Sequence, residues 1–225
     1  MENPHLMLFI CLAAPLSMML FVFKGRSRAI LGFLLTVIFM CLFAGEINGL
    51  IQNNTEFSIR FLTVNITPIV EEILKALPVV FVAFLIKPNR QLLLECAIAV
   101  GVGFATLENT CLLFDSAAVL SAGMIVARGL GAGMMHGVST LAVGYSMTIA
   151  SSERKLSYTG TVAALSAAII YHSIYNIIVQ SRYPALGVLL PVVTYIPLLI
   201  VVSKNRSISG KQSADRNERE VNSNV

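Results

Sequence analysis

Charge is scarce in this chain. Lys and Arg number 16 and Asp and Glu 12, so charged residues make up 12% of the 225 positions. An ordinary soluble domain carries about 25%. Tryptophan is absent, histidine occurs three times, and 56% of the residues are hydrophobic. A water-soluble globular enzyme, a disordered polyelectrolyte and a disulfide scaffold are all excluded by that balance. The four cysteines, Cys11, Cys41, Cys96 and Cys111, sit inside apolar runs with no CxxC spacing and no Cys/His cluster. They read as small buried hydrophobes, without a disulfide framework or a thiolate metal site. The HExxH signature is missing, which sets aside the common zincins. The stretch 101–106 (GVGFAT) lacks a third glycine and a βαβ context, so it is no dinucleotide loop. A net charge of +4 points to no nucleic-acid partner, because the excess flanks apolar runs.

Long apolar runs are what the chain does have. A helix needs about 20 apolar residues to cross a bilayer, and that rule yields seven candidate spans: 6–23, 29–45, 64–86, 91–113, about 128–150, 157–180 and 184–202. The expected fold is therefore all-α, a polytopic membrane helical bundle in one integral-membrane domain, 1–202. The first run has no basic residue before it, has Lys24, Arg26 and Arg28 after it, and shows no small-residue cleavage site, so it reads as a retained span. Twelve Lys and Arg fall in the loops 24–28, 87–90 and 151–156 and the tail, against Arg60 and Arg182 on the opposite side. The positive-inside rule then puts the N-terminus outside and the C-terminus in the cytoplasm. The tail 203–225, rich in Ser, Asn and mixed charge, is expected to be disordered. Residues 114–127 are apolar yet lie on the outer side, either as an interfacial or re-entrant piece or as an extension of the fifth span.

Charged and polar groups inside the spans are costly and mark function by default. Here they are Glu71, Glu72 and Lys75 in the third span, Glu108 in the fourth, His136 in the fifth, and His172 with Asn176 in the sixth. Glu71 lies 16 positions from Lys87, Glu108 17 from Gln91, His136 15 from Ser151 and His172 16 from Leu156. At about 1.5 Å per helical residue, all four sit roughly 22–26 Å above the inner surface. Protonatable groups on four helices at one level make a candidate site. Each also has a blander explanation: either Glu can form an ion pair with Lys75 at i,i+3 or i,i+4, and a lone intramembrane His can simply join two helices. Small-residue ridges at Gly129, Gly133 and Gly137, and at Ala97, Gly101 and Ala105, are expected to let neighbouring helices pack closely.

Two His and a Glu can hold a zinc ion with a fourth position left open. Glu108, His136 and His172 fit that ligand role. Glu71 or Glu72 fits the role of a base that takes a proton from attacking water, and Asn176 could orient His172 or donate to a developing oxyanion. Adjacent helical residues diverge by about 100°, so one Glu is expected to face the site while the other pairs with Lys75. A metal-free variant, with a Glu activating water and the histidines polarising the carbonyl, uses the same residues.

Glu71-Glu72-Ile73-Leu74-Lys75 reads EExxK, Phe104 to Glu108 reads FxxxE, and His136 and His172 to Asn176 follow in order. This set, within 65–180, resembles the PrsW family of intramembrane proteases, related to the CAAX-processing and bacteriocin-immunity membrane proteases. Glu108 stands where the CAAX-prenyl branch is expected to have His, which argues against a prenylated substrate. The resemblance implies a protease of the bacterial plasma membrane whose partner is a membrane-anchored protein such as an anti-sigma factor, cut near the extracytoplasmic face. Two other readings of the residues stay open at this point: a proton-coupled transporter and a catalytically idle partner-binding protein.

Overall fold

The computed structural model describes residues 7, 9–116, 122–149, 154–184, 186–197 and 200. Apart from short connections, these residues are helical, and no strand occurs among them. Seven helical segments follow one another. Helix α1 (Ala14–Val22) continues a π-helical turn, Phe9–Ala13, and α2 is Gly25–Asn54. Helix α3 (Thr67–Phe81) is preceded by the short helix Ile59–Phe61 and the π turn Leu62–Ile66, and followed by the π turn Val82–Ile86. Then come α4 (Arg90–Ser116), α5 (Ala122–Ile149), α6 (Arg154–Val179) and α7 (Leu186–Pro197).

Among the described residues, three helices are long and apolar enough to cross a membrane: Gly25–Asn54, Arg90–Phe114 and Tyr158–Val179. Several boundaries differ from the sequence expectation, two of them by more than five residues. Helix α2 runs nine residues beyond the expected 45, and α5 begins at Ala122 rather than near 128. So the described parts of 114–127 lengthen α4 and α5, while 117–121 and the tail 203–225 lie outside the described residues.

Helix α3 is amphipathic in the reverse sense of a soluble helix. Pro68, Glu71, Glu72, Lys75, Ala76 and Val79 recur at helical spacing and are buried, whereas Ile69, Ile73, Leu77 and Phe81 are exposed. In water the apolar stripe would turn inward. With lipid as solvent the polar face goes inside, where charges find partners. Thr67-Pro68 opens this helix, where the missing N–H of proline costs nothing. Lys87, at φ 48°, turns the chain out of the π turn with its N–H on the Val82 carbonyl at 3.1 Å. Gly25 makes the turn from α1 into α2 at φ 57°, a conformation that glycine adopts without steric cost.

The main core gathers Val37 of α2, Ala76 and Val79 of α3, Leu93, Ala97 and Val100 of α4, Val143 and Met147 of α5 and Ala168 of α6. Ala132, Met135 and Tyr175 form a second core between α5 and α6, with Leu190 of α7 against it. Helices α4 and α5 touch backbone to backbone. A Cβ at Gly101 would collide with the His136 carbonyl and stand 2.9 Å from the Gly137 Cα, and one at Gly144 would stand 2.6 Å from the Ala97 Cβ. Of the two expected ridges, the one on α4 is therefore a true contact. On α5 only Gly137 meets a neighbour, Val102 at 3.3 Å, while a Cβ at Gly129 or Gly133 would meet nothing within 4 Å.

Candidate active site

The buried face of α3 supplies three of the polar groups. Glu72 and Lys75, one turn apart, form an ion pair at 2.5 Å, with side chains 1% and 0% exposed. The ammonium also lies 2.6 Å from His136 Nδ1 and 5.3 Å from the centroid of the Phe104 ring. The same oxygen of Glu72 is 2.9 Å from His172 Nδ1. Glu72 is thus the carboxylate that pairs with Lys75, and Glu71 is the one left for other work. Glu71 Oε2 is buried with no hydrogen-bond partner, 3.9 Å from His172 Nε2.

Helix α4 supplies Phe104 and Glu108, which share a face at i,i+4. Phe104 is fully buried and tilts against the His136 ring, with centroids 5.6 Å apart. Glu108 reaches His136 Nε2 with Oε2 at 2.8 Å and Arg128 Nη2 with Oε1 at 2.9 Å. The two imidazoles meet edge to face, centroids 4.8 Å apart. Both of their tautomers follow from the partners. An ammonium has no acceptor, so His136 Nδ1 accepts from Lys75 and Nε2–H donates to Glu108. A carboxylate accepts, so His172 Nδ1–H donates to Glu72 and its Nε2 lone pair turns toward Glu71.

Glu71, His136 and His172 each offer one ligand atom within 4.8 Å of the others, all three buried. This differs from the expected trio in one member: Glu71 replaces Glu108, whose two oxygens are already occupied by His136 and Arg128. An ion bound at about 2.1 Å by nitrogen and oxygen in tetrahedral geometry separates its ligands by about 3.4 Å. The 3.9 Å between His172 Nε2 and Glu71 Oε2 is close to that span, and the orphaned oxygen is a natural donor. The residues fit a divalent metal. Glu72 behind His172 and Glu108 behind His136 are the carboxylates that commonly orient a ligating imidazole.

Asn176 stands one turn beyond His172, but its amide donates to the Thr63 carbonyl at 2.8 Å, and Gln180 donates to Thr63 Oγ1 at 2.9 Å. Both ties fasten α6 to the π turn ahead of α3. Sequence reasoning passed over Thr63 and, more importantly, Arg128. A signal for Arg128 existed: once the connections and tail are counted, Lys75 and Arg128 are the only basic residues left.

Among known proteins, the family described as PrsW family intramembrane metalloprotease matches residues 15–202. No curated protein and no solved structure matches the chain.

Proposed function

The chain belongs to the PrsW family of intramembrane metalloproteases and is thus a membrane peptidase, and from that premise we propose that it is an endopeptidase cutting a membrane-anchored protein by means of a Glu-activated water. One observation carries this reading: Glu71 Oε2, among the described residues the only buried carboxylate oxygen without a partner, faces the free lone pair of His172 across 3.9 Å. Two groups so spaced hold a single water oxygen by hydrogen bonds of about 2.8 Å each. Glu71 takes the proton as the water attacks and returns it to the leaving amine. His172 is locked in the required tautomer by Glu72, and Lys75 neutralises Glu72 so that this carboxylate stays in place.

The family's metal, in our reading zinc, would be held by Glu71, His136 and His172, and would then take the His172 lone pair, leaving the water's proton to Glu71 alone. It supplies Lewis acidity at the scissile carbonyl when bound. Glu71 has two oxygens, so holding an ion with one leaves the other for a proton. His136 Nδ1 accepts from Lys75 in the structure, so it would serve as a ligand only with Lys75 held by Glu72 alone.

The twelve-to-two bias of basic residues supports an outer N-terminus and a site toward the extracytoplasmic side of a bacterial plasma membrane. A membrane-anchored regulator such as an anti-sigma factor suits that location, by the family resemblance. Purified protein in liposomes with a single-span substrate tests the reading, with bound metal measured in parallel. Wild type is expected to cleave and to carry about one zinc per chain, and His172→Ala to lose both. Cleavage by His172→Ala at the wild-type rate would end it.

A further inference from the structure

Arg128 is the one member of the polar cluster that no motif accounts for. It sits on α5 two turns before His136, with its guanidinium 26% exposed and bonded to Glu108, itself 28% exposed. From there an unbroken series of hydrogen bonds runs inward: Arg128 to Glu108, Glu108 to His136, His136 to Lys75, Lys75 to Glu72, and Glu72 to His172. Four helices contribute to it. The other members on the way to His172 are 3% exposed or less, so the Arg128–Glu108 end is the accessible end of the series.

A carboxylate at such an edge is less confined than the buried members of the series. Held by the imidazole alone, Glu108 could rotate its side chain outward and leave His136 Nε2–H without an acceptor. The charge-assisted bond from Arg128 to Oε1 fixes the carboxylate plane and aims Oε2 at His136. The pair is not needed to hold α4 on α5, because those helices already meet closely at Gly101 and Gly144.

We propose that Arg128 is a positioning residue. It clamps Glu108 so that His136 keeps its proton on Nε2 and presents Nδ1 to the interior of the site. The consequence for cleavage rests on the function proposed above; the consequence for the His136 tautomer does not.

The test uses the full chain in nanodiscs with ¹⁵N-labelled histidine. Only three histidines, His5, His136 and His172, contribute signals. Wild type is expected to show His136 with a protonated Nε2 and an unprotonated Nδ1, with or without bound metal. Arg128→Gln is expected to broaden or average the two ring signals, as Glu108→Gln does, and Arg128→Lys to retain most of the wild-type pattern. In cleavage, Arg128→Gln is expected to lower kcat about 10–100-fold, the usual cost of losing a partner behind a ligating imidazole, with KM changed less than about twofold. The double variant with Glu108→Gln falls no further than Glu108→Gln alone, as expected for residues acting in one line. An unaltered His136 signal in Arg128→Gln overturns the inference even if wild type is an active protease. Should wild type cleave nothing while the tautomer responds as stated, the positioning role stands and the protease reading falls. If Arg128→Gln does not fold, Arg128→Lys decides: a wild-type tautomer supports the clamp and an averaged one refutes it.

Discussion

The two ends of α5 differ, and His136 is the border between them. Toward Met147, the face that carries His136 is pressed onto α4 with no room for a methyl group at Gly144, and Gly101 of α4 admits none against the His136 backbone. Toward Arg128, the same face carries Gly133 and Gly129, beside which a Cβ meets nothing, and the charged neighbours Arg128 and Glu108 are a quarter exposed. The polar groups follow the same division. Glu72, Lys75 and His172 satisfy one another in a buried interior, whereas Glu108 and Arg128 are partly exposed. A site that admits water and a peptide needs both: a rigid floor that holds imidazoles in one tautomer, and an unfilled side by which a reactant arrives.

Breaking the floor has the largest expected effect on the fold. Lys75→Met leaves Glu72 without its cation, and removing one partner of a buried pair costs about 3–5 kcal/mol. Thermal unfolding in detergent is expected to show that loss, along with loss of cleavage. A melting temperature equal to that of wild type would mean that the floor is not held by this pair.

Pressing on the seam comes next. Gly101→Ala drives a methyl group into the His136 carbonyl, and overpacking of this kind costs about 1–3 kcal/mol. Because the displaced atom belongs to His136 itself, cleavage is expected to fall more than stability does. Equal activity in Gly101→Ala and wild type would show that α4 can slide without disturbing the imidazole.

The smallest effect is expected on the open side. Gly133→Ala adds a methyl group where there is space and removes glycine's penalty in a helix, so stability should change by less than about 1 kcal/mol, toward stabilisation. A loss larger than that would mean that the His136 face of α5 is packed as tightly toward Arg128 as toward Met147, and the contrast would vanish.

Much of this was legible before any coordinates. Acids and a lysine inside an apolar run, and imidazoles at one depth on later runs, identify helices that must share a polar interior, because lipid offers such groups no partner. What spacing along one helix leaves open is which atom meets which across helices. That Lys75 takes Glu72 rather than Glu71, and that Glu108 is spent on Arg128 and His136, depends on the rotation of α3, α4 and α5 about their axes, which packing sets. Asn176 shows the same limit: its position a turn from His172 was plain, its tie to Thr63 was not, since Thr63 belongs to a π turn without a sequence signature. The ridge Gly129–Gly133–Gly137 matched the small-residue pattern in full, yet only its last member has a helix against it.

The central claim is that Glu71, whose buried Oε2 has no hydrogen-bond partner, does the chemistry that the others are arranged around. The rate of substrate cleavage by Glu71→Gln in liposomes tests it most directly, since glutamine keeps the shape but cannot take a proton. The expected result is a loss of at least about 100-fold with the melting temperature unchanged; Glu71→Gln cutting as fast as wild type would contradict the account.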